Sequence, residues 1–136
     1  MTAVLDASVA LKWFLTEPES ADALAFRANN EVIAPDLVIV EILNGLWKAW
    51  RLTRVSQAQI ELIARSLAGH FSKLVASSEL ATRAAEISLT LDHPAYDCFY
   101  IALAERDGVA LVTADRRLFS KTRGTVFDTI VKPLVP

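Results

Sequence analysis

The chain has 136 residues and a formal net charge of −2, and 53% of its residues are hydrophobic. A chain of this length is expected to fold as one domain, here residues 1–136, with no need for disulfides or a structural metal. No hydrophobic run approaches the roughly 18 residues that span a bilayer, and no signal peptide is visible at the start. We therefore expect a cytoplasmic protein with no membrane partner.

The hydrophobic pattern predicts short strands that alternate with helices. The apolar run ending at Asp6 predicts a first strand, and Ser8 is the candidate cap of a short helix after it. Asp36 is a plausible N-cap of a long third helix, and Ser56 with Gln59 forms a capping box for the fourth. The remaining predicted strands cover residues 31–34, 73–77, 109–113 and 125–131. The predicted helices cover residues 9–14, 18–28, 35–52, 56–69, 78–91, 96–107 and 116–120.

Strands that alternate with helices predict an α/β fold with a mostly parallel sheet covered on both faces. In such sheets, ligands collect beyond the carboxyl ends of the strands, where the strand order reverses. Asp6 stands at the end of the first strand, and Asp115 stands two residues past the fourth. The order of the elements alone therefore predicts an acidic site at this edge of the sheet.

Four acidic residues are candidates for this site, and each also has an ordinary structural explanation. Asp6 and Asp115 suit helix N-caps, and Asp97 is stabilised by the helix N-terminus that it occupies. Glu41 belongs to a polar stripe at helical spacing. Taken together, the carboxylates would repel one another, and a hard divalent cation such as Mg²⁺ or Mn²⁺ relieves that repulsion. Zinc is not expected, because the histidines and the lone cysteine show no ligand spacing.

Four motifs carry a family resemblance, and they occur in order along the chain. They are "VLDASV", "VIVEILNGLW", "YDCFYIALA" and "LVTADRRL". In these motifs the chain resembles the PIN-domain family, in particular the VapC-like toxins of bacterial toxin–antitoxin pairs. The resemblance implies a three-layer α/β/α sandwich with a central parallel sheet. It also implies a Mg²⁺- or Mn²⁺-dependent endoribonuclease, usually a homodimer, that is held inactive by an antitoxin tail laid across the active-site groove.

The resemblance also assigns site residues by their positions in the motifs. The implied acidic quartet, as metal ligands and catalytic residues, is Asp6, Glu41, Asp97 and Asp115. Ser8 and Thr113 are the implied accompanying hydroxyls.

Binding of an RNA substrate by a negatively charged chain requires a local basic surface. From Asp115 to the end there are five Lys or Arg residues against two Asp residues. We expect phosphate contacts from this segment and from one residue near Ser8, although a solvated surface explains each cation equally well. The candidates are Arg116, Arg117, Lys121, Arg123 and Lys12.

The tryptophans and the cysteine have structural interpretations. Core packing explains Trp13, Trp47 and Trp50, with a dimer interface or antitoxin groove as the alternative, since aromatic residues are enriched at interfaces. Cys98 lies in a hydrophobic helix, where we expect a buried and unreactive thiol.

Three other classes of function compete with the nuclease. A phosphoacceptor receiver domain also has an acidic pocket at its strand ends, a threonine after the fourth strand and a Lys-Pro after the fifth, here Thr113 and Lys132-Pro133. It needs a pair of acids after the first strand, however, where this chain has only Asp6. A haloacid-type phosphatase would need a second aspartate in place of Ser8. A catalytically inactive binding module with the same fold is the third possibility, and its acids would have no reason to bind Mn²⁺.

Overall fold

The computed structural model describes residues 1–136, and its centre is a five-stranded sheet in which every strand pair is parallel. The strands are β1 (Thr2–Leu5), β2 (Glu31–Pro35), β3 (Lys73–Val75), β4 (Ala110–Thr113) and β5 (Val131–Pro133). Their order across the sheet is β3-β2-β1-β4-β5. The predicted mostly parallel α/β sheet is therefore confirmed.

Seven α-helices surround the sheet and complete the three-layer α/β/α sandwich. They are α1 (Ala7–Ala10), α2 (Ser20–Asn29), α3 (Leu37–Arg51), α4 (Gln57–Ser66), α5 (Ser77–Leu91), α6 (Ala95–Asp107) and α7 (Arg116–Thr122). Short 3-10 turns follow α1 and α4, over Leu11–Trp13 and Leu67–His70. Helix α6 packs against β1, β2 and β4, and its middle is buried because an uninterrupted apolar run from Ile101 to Ala104 faces the core.

The central strand β1 is buried and lies between β2 and β4. Val4 pairs with Ile33 on one side and with Leu111 on the other, and all three side chains are buried. Continuous apolar strands of this kind belong to parallel sheets whose two faces are both covered. The ends of β1 and β4 are therefore fixed relative to each other by the best-packed part of the molecule.

The strand order reverses between β1 and β4. The chain runs outward from β1 to β2 and β3, and then crosses through α5 and α6 to β4 on the other side of β1. This is the point at which open α/β sheets bind ligands. The flavodoxin-like order 2-1-3-4-5, which receiver domains follow, differs from the order found here, so the receiver interpretation is wrong.

Several predicted helix ends are confirmed and two caps are corrected. The capping box of Ser56 and Gln59 is present at the start of α4. Asp6 rather than Ser8 caps α1, because its carboxylate accepts from the backbone N–H of Val9. Asp36 precedes α3 but makes no cap bond there; its carboxylate instead accepts from the N–H and hydroxyl of Ser77 at the start of α5.

The predicted last strand over residues 125–131 is wrong, since β5 begins only at Val131. The preceding residues form consecutive turns, closed by the bond from the Asp128 N–H to the Thr125 carbonyl. The hydroxyl of Thr125 accepts from the Phe127 N–H and donates to the Thr122 carbonyl. Local bonds from a threonine side chain compete with strand pairing, and here they prevail.

The tryptophans divide between the core and the surface. Trp13 is buried, and its indole N–H donates to the carbonyl of Ala23 at 3.1 Å. Trp47 and Trp50 on α3 are 48% and 46% exposed. Core packing is therefore confirmed for Trp13 and wrong for the other two. No helix is both long enough and apolar enough to cross a membrane.

Candidate active site

Asp6 occupies the junction between β1 and α1 and is buried. Strand β1 carries it to the carboxyl edge of the sheet, at the point where the strand order reverses. Its cap bond from Val9, at 3.3 Å to Oδ1, holds the carboxylate at the start of α1. Asp6 is therefore the N-cap of α1, as its structural explanation proposed, and it also lies at the sheet edge where open α/β sheets bind ligands.

Two hydroxyls hold the Asp6 carboxylate from either side. The Ser8 hydroxyl donates to Oδ1 at 2.5 Å, and the Thr113 hydroxyl at the end of β4 donates to Oδ2. Each hydroxyl is itself oriented by a backbone donor: Ala114 N–H to Ser8 Oγ and Asp115 N–H to Thr113 Oγ1, both at 3.0 Å. The network joins the ends of β1 and β4 and fixes the orientation of Asp6.

Burial raises the pKa of Asp6 from 3.8 to about 6. The hydrogen bonds from Ser8 and Thr113 oppose the rise because they stabilise the charged form, and the nearby negative charge of Asp97 adds to it. An acid with a pKa of about 6 is mostly ionised at neutral pH, but it takes up a proton when the pH falls only slightly. Such perturbed groups concentrate at functional sites.

Glu41 reaches the same region from α3, where its side chain is partly buried. The buried Tyr100 of α6 donates its hydroxyl to Oε1 of Glu41 at 2.5 Å. Burial raises the pKa of Glu41, the Tyr100 hydrogen bond opposes the rise, and the charge of Asp97 adds to it. Burial, together with the charges of Glu41, Asp6 and Asp97, raises the pKa of Tyr100 and keeps its phenol protonated.

Asp97 lies in the first turn of α6 and connects the other two acids electrostatically, since its charge affects the pKa of both Asp6 and Glu41. Its Oδ2 lies 2.6 Å from Nε2 of His93, which precedes α6 by two residues. Asp6, Glu41 and Asp97 therefore share one electrostatic site although they belong to three different segments of the chain.

Asp115 is placed differently from the other three acids. Its Oδ1 accepts from the N–H groups of Arg117 and Leu118, so it caps α7, as the structural explanation proposed. It also lines a cavity of about 350 Å³ beyond the end of β4. Thr113, Arg116 and Glu19 also line this cavity. Its role in the site stays a prediction.

The donor chemistry fits a hard divalent ion, although the present arrangement does not enclose one. No group of three or more His, Cys, Asp or Glu side chains is placed to hold a metal by itself. The ion pairs of the chain include no Lys or Arg partner for Asp6, Glu41 or Asp97. Mg²⁺ binds through one or two carboxylates and keeps several waters, so a partly open acidic set suits it.

The candidate RNA-binding cations fall into two groups. Arg116, Arg117 and Lys121 on α7 are exposed. Arg123 instead donates to the Val131 carbonyl at 2.6 Å, and Lys12 donates to the Pro18 carbonyl at 2.8 Å. These last two cations already hold the fold together, so the free basic surface is that of α7.

Sequence reasoning missed two residues that contact the acids. Tyr100 occurred only within the motif "YDCFYIALA", and His93 was considered only as a zinc ligand. His93 stands four residues before Asp97, and this short separation in sequence was the available signal for their contact. Cys98 is buried as predicted, and burial raises its thiol pKa to about 11, which keeps the thiol protonated and unreactive.

Comparison with known proteins agrees with this geometry. The sequence model of the PIN domain matches residues 3–124. Ribonuclease VapC3 of Pyrobaculum aerophilum is 31% identical over 136 residues, which cover 98% of this chain and 100% of that protein. Exonuclease VapC9 of the same organism is 37% identical over 92 residues, 66% of each chain. The chain belongs to the PIN-domain family of nucleases, and within that family it is VapC-like.

Solved structures show the same fold. The crystal structure of PAE2754 from Pyrobaculum aerophilum superposes with a TM-score of 0.64 at 27% identity, covering 93% of this chain and 91% of that one. A toxin–antitoxin complex from Klebsiella pneumoniae gives a TM-score of 0.63 at 20% identity, covering 91% of this chain and 95% of that one. The second likeness concerns the fold alone.

Proposed function

We propose that this protein is a metal-dependent endoribonuclease that acts as the toxin of a toxin–antitoxin pair. One observation carries the proposal: Asp6, Glu41 and Asp97 share a site at the reversal of strand order, and no Lys or Arg neutralises them. Buried carboxylates without a cationic partner are costly. A divalent cation bound between the carboxylates would relieve this cost.

Asp6, Asp97, Glu41 and Asp115 would hold the ion. When bound, Mg²⁺ or Mn²⁺ lowers the pKa of a water and neutralises charge at the scissile phosphate. Ser8 and Thr113 keep the Asp6 carboxylate in one orientation. One of the acids accepts the proton of the attacking water. We expect a 5′-phosphate on the downstream product, as in the family.

The proposal is tested by cleavage of total cellular RNA by the purified protein with Mg²⁺ or Mn²⁺. We expect Asp6→Asn and Asp97→Asn to abolish cleavage while far-UV circular dichroism stays unchanged. Asp22→Asn, which removes an exposed carboxylate on α2, is the matched control and keeps full activity. Cleavage that persists in excess EDTA would refute the metal mechanism.

A circular RNA distinguishes an endonuclease from an exonuclease, a distinction that matters because one relative is named an exonuclease. A circle has no ends, so only internal cleavage linearises it. We expect linear products that carry a 5′-phosphate. If the circular RNA survives while linear RNA is degraded from its ends, the protein is an exonuclease and not an endonuclease.

The proposed partners are the RNA substrate, a cognate antitoxin and a second copy of the chain. A groove of about 700 Å³ runs along α3 beside Glu41, and Leu11, Val40 and Leu52 give it apolar walls. This groove suits the antitoxin tail. Trp47 and Trp50, which are half-exposed on the same helix, suit the homodimer interface.

A second candidate is a PIN-fold binding module without catalysis. It is favoured by the absence of three converging metal-binding side chains. Titration with Mn²⁺ separates the two candidates, because an inactive module has no reason to bind the ion.

A further inference from the structure

We propose that His93 is a positioning residue for Asp97, and that it sets the affinity of the acidic site for its metal ion. This inference rests on the proposed function, and it deepens it by adding a residue that does not itself touch the ion. It is carried by the way that the α5–α6 connection holds the imidazole against the carboxylate.

The connection between α5 and α6 is locked by hydrogen bonds from one serine. The Ser88 hydroxyl donates to the carbonyl of His93 at 2.7 Å, and the Ser88 carbonyl accepts from the His93 N–H at 3.2 Å. Asp92, between them in sequence, adopts φ 50° and also donates its N–H to Ser88. A left-handed aspartate costs free energy that the surrounding bonds must offset. The backbone of His93 is thereby fixed on both sides.

The imidazole then meets Asp97 at short range. Nε2 of His93 lies 2.6 Å from Oδ2 of Asp97, and the two side chains are only 13% and 24% exposed. An ionised carboxylate can only accept, so this contact requires a proton on Nε2. Oδ1 of Asp97 has no hydrogen-bond partner in the protein and is left for a ligand.

The pairing repeats a feature of the whole site. Asp6 accepts from two hydroxyls and Glu41 accepts from a phenol, so these two carboxylates are oriented by neutral donors. Neutral donors orient a ligand without cancelling its charge, whereas a Lys or Arg partner would compete with the ion. Partners of this kind typically change metal affinity by roughly 10- to 100-fold when they are removed.

The alternative is that His93 only stabilises the first turn of α6. A merely structural contact would change thermal stability and leave the affinity for a metal ion unchanged. Binding of Mn²⁺ alone, measured by electron paramagnetic resonance of the free ion, therefore distinguishes the two roles without any RNA.

The test compares three variants of the full chain. His93→Phe keeps a ring without the donor, and we expect its Kd for Mn²⁺ to rise by roughly 10- to 100-fold. His93→Gln places an amide N–H at similar reach, and we expect it to recover most of the affinity. His70→Phe, which changes the other histidine, is the control and keeps the wild-type Kd.

An unchanged Kd in His93→Phe would overturn the inference while leaving the proposed function intact. A wild-type protein that binds no Mn²⁺ would overturn both. If His93→Phe does not fold, the wild type still decides: ¹⁵N-resolved spectra at mildly alkaline pH should show the His93 proton on Nε2. A proton on Nδ1 would refute the contact, and His70→Phe assigns the signal because the chain has two histidines.

Discussion

Asp6 is buried, Glu41 and Asp97 are partly buried, and the three acids take their hydrogen bonds from similar kinds of donor. Their donors are hydroxyls, one backbone N–H and an imidazole, and no Lys or Arg pairs with them. In the absence of a cation the charges of Asp6 and Glu41 oppose folding, since burial and the nearby charge of Asp97 raise the pKa of both. These two acids therefore reduce the stability of the metal-free protein.

The pH dependence of folding measures this cost for Asp6. Its pKa in the fold is raised above 3.8 to about 6, so the fold binds the proton more tightly than the unfolded chain. The resulting stabilisation is complete below pH 3.8 and is lost as the pH rises through about 6. This shift corresponds to about 3 kcal/mol. We expect the free energy of unfolding of Asp6→Asn, measured in urea with EDTA, to exceed that of the wild type at neutral pH.

The difference in free energy of unfolding between Asp6→Asn and the wild type should shrink as the pH falls toward 4, because the wild-type carboxyl of Asp6 then becomes protonated and uncharged. Asp22→Asn serves as the control and should follow the wild type at every pH. An Asp6→Asn curve parallel to that of the wild type would show that this carboxylate carries no folding cost.

Tyr100 offers a second test at the level of one atom. Tyr100→Phe removes only the hydroxyl that donates to Glu41. Hydrogen bonds to charged groups contribute about 1.5–3 kcal/mol, so we expect a decrease of that size in the free energy of unfolding at neutral pH. RNA cleavage should fall with it, because Glu41 loses its orientation.

Tyr96→Phe is the matched control, since the chain has two tyrosines and this one is exposed. It should leave both quantities unchanged. If Tyr100→Phe keeps full stability and activity, the hydrogen bond from Tyr100 to Glu41 contributes to neither.

At the level of elements, the ends of helices decide which predictions from sequence succeeded. The capping box of Ser56 and Gln59 could be predicted from the sequence, because its two hydrogen bonds join residues that are only three positions apart. Asp36 and Ser77 could not be paired from sequence, since α3 and α5 must first pack together. For the same reason Tyr100 was missed as the partner of Glu41, since α6 must first pack near α3.

Helix α7 separates the two roles of Asp115. Asp115→Ala removes the cap from two N–H groups and should cost about 1 kcal/mol of stability. Asp115→Ser restores a cap without a carboxylate and should return stability close to that of the wild type. We expect cleavage by Asp115→Ser to fall less than in Asp6→Asn, because Asp115 lies outside the group of electrostatically linked acids.

The comparison is made by thermal unfolding and by cleavage rate on the same preparations. Complete loss of cleavage in a stable Asp115→Ser protein would instead place Asp115 among the essential ligands.

At the level of the whole molecule, net charge and local charge point in different directions. The chain carries −2 overall, while Arg116, Arg117 and Lys121 are exposed beside the site. The sheet edge and α7 thus present a basic surface next to an acidic centre.

The fold class and the edge at which the site lies could be predicted from the alternation of elements. The last strand could not, because local turns formed by Thr125 compete with strand pairing.

Salt dependence of RNA binding tests the basic surface. If Arg116 and Arg117 each neutralise a phosphate, Arg116→Ala/Arg117→Ala should lower the slope of log affinity against log salt by about 1.4. Arg65→Ala on α4, which removes an exposed cation elsewhere, should leave the slope unchanged. Equal slopes for the double variant and the wild type would exclude these arginines from RNA binding.

The bond between Asp6 and Thr113 joins residues separated by 107 positions. During translation, the first strand emerges from the ribosome long before its partner strand has been made. A growing chain therefore cannot order the acidic site around Asp6 until synthesis is nearly finished.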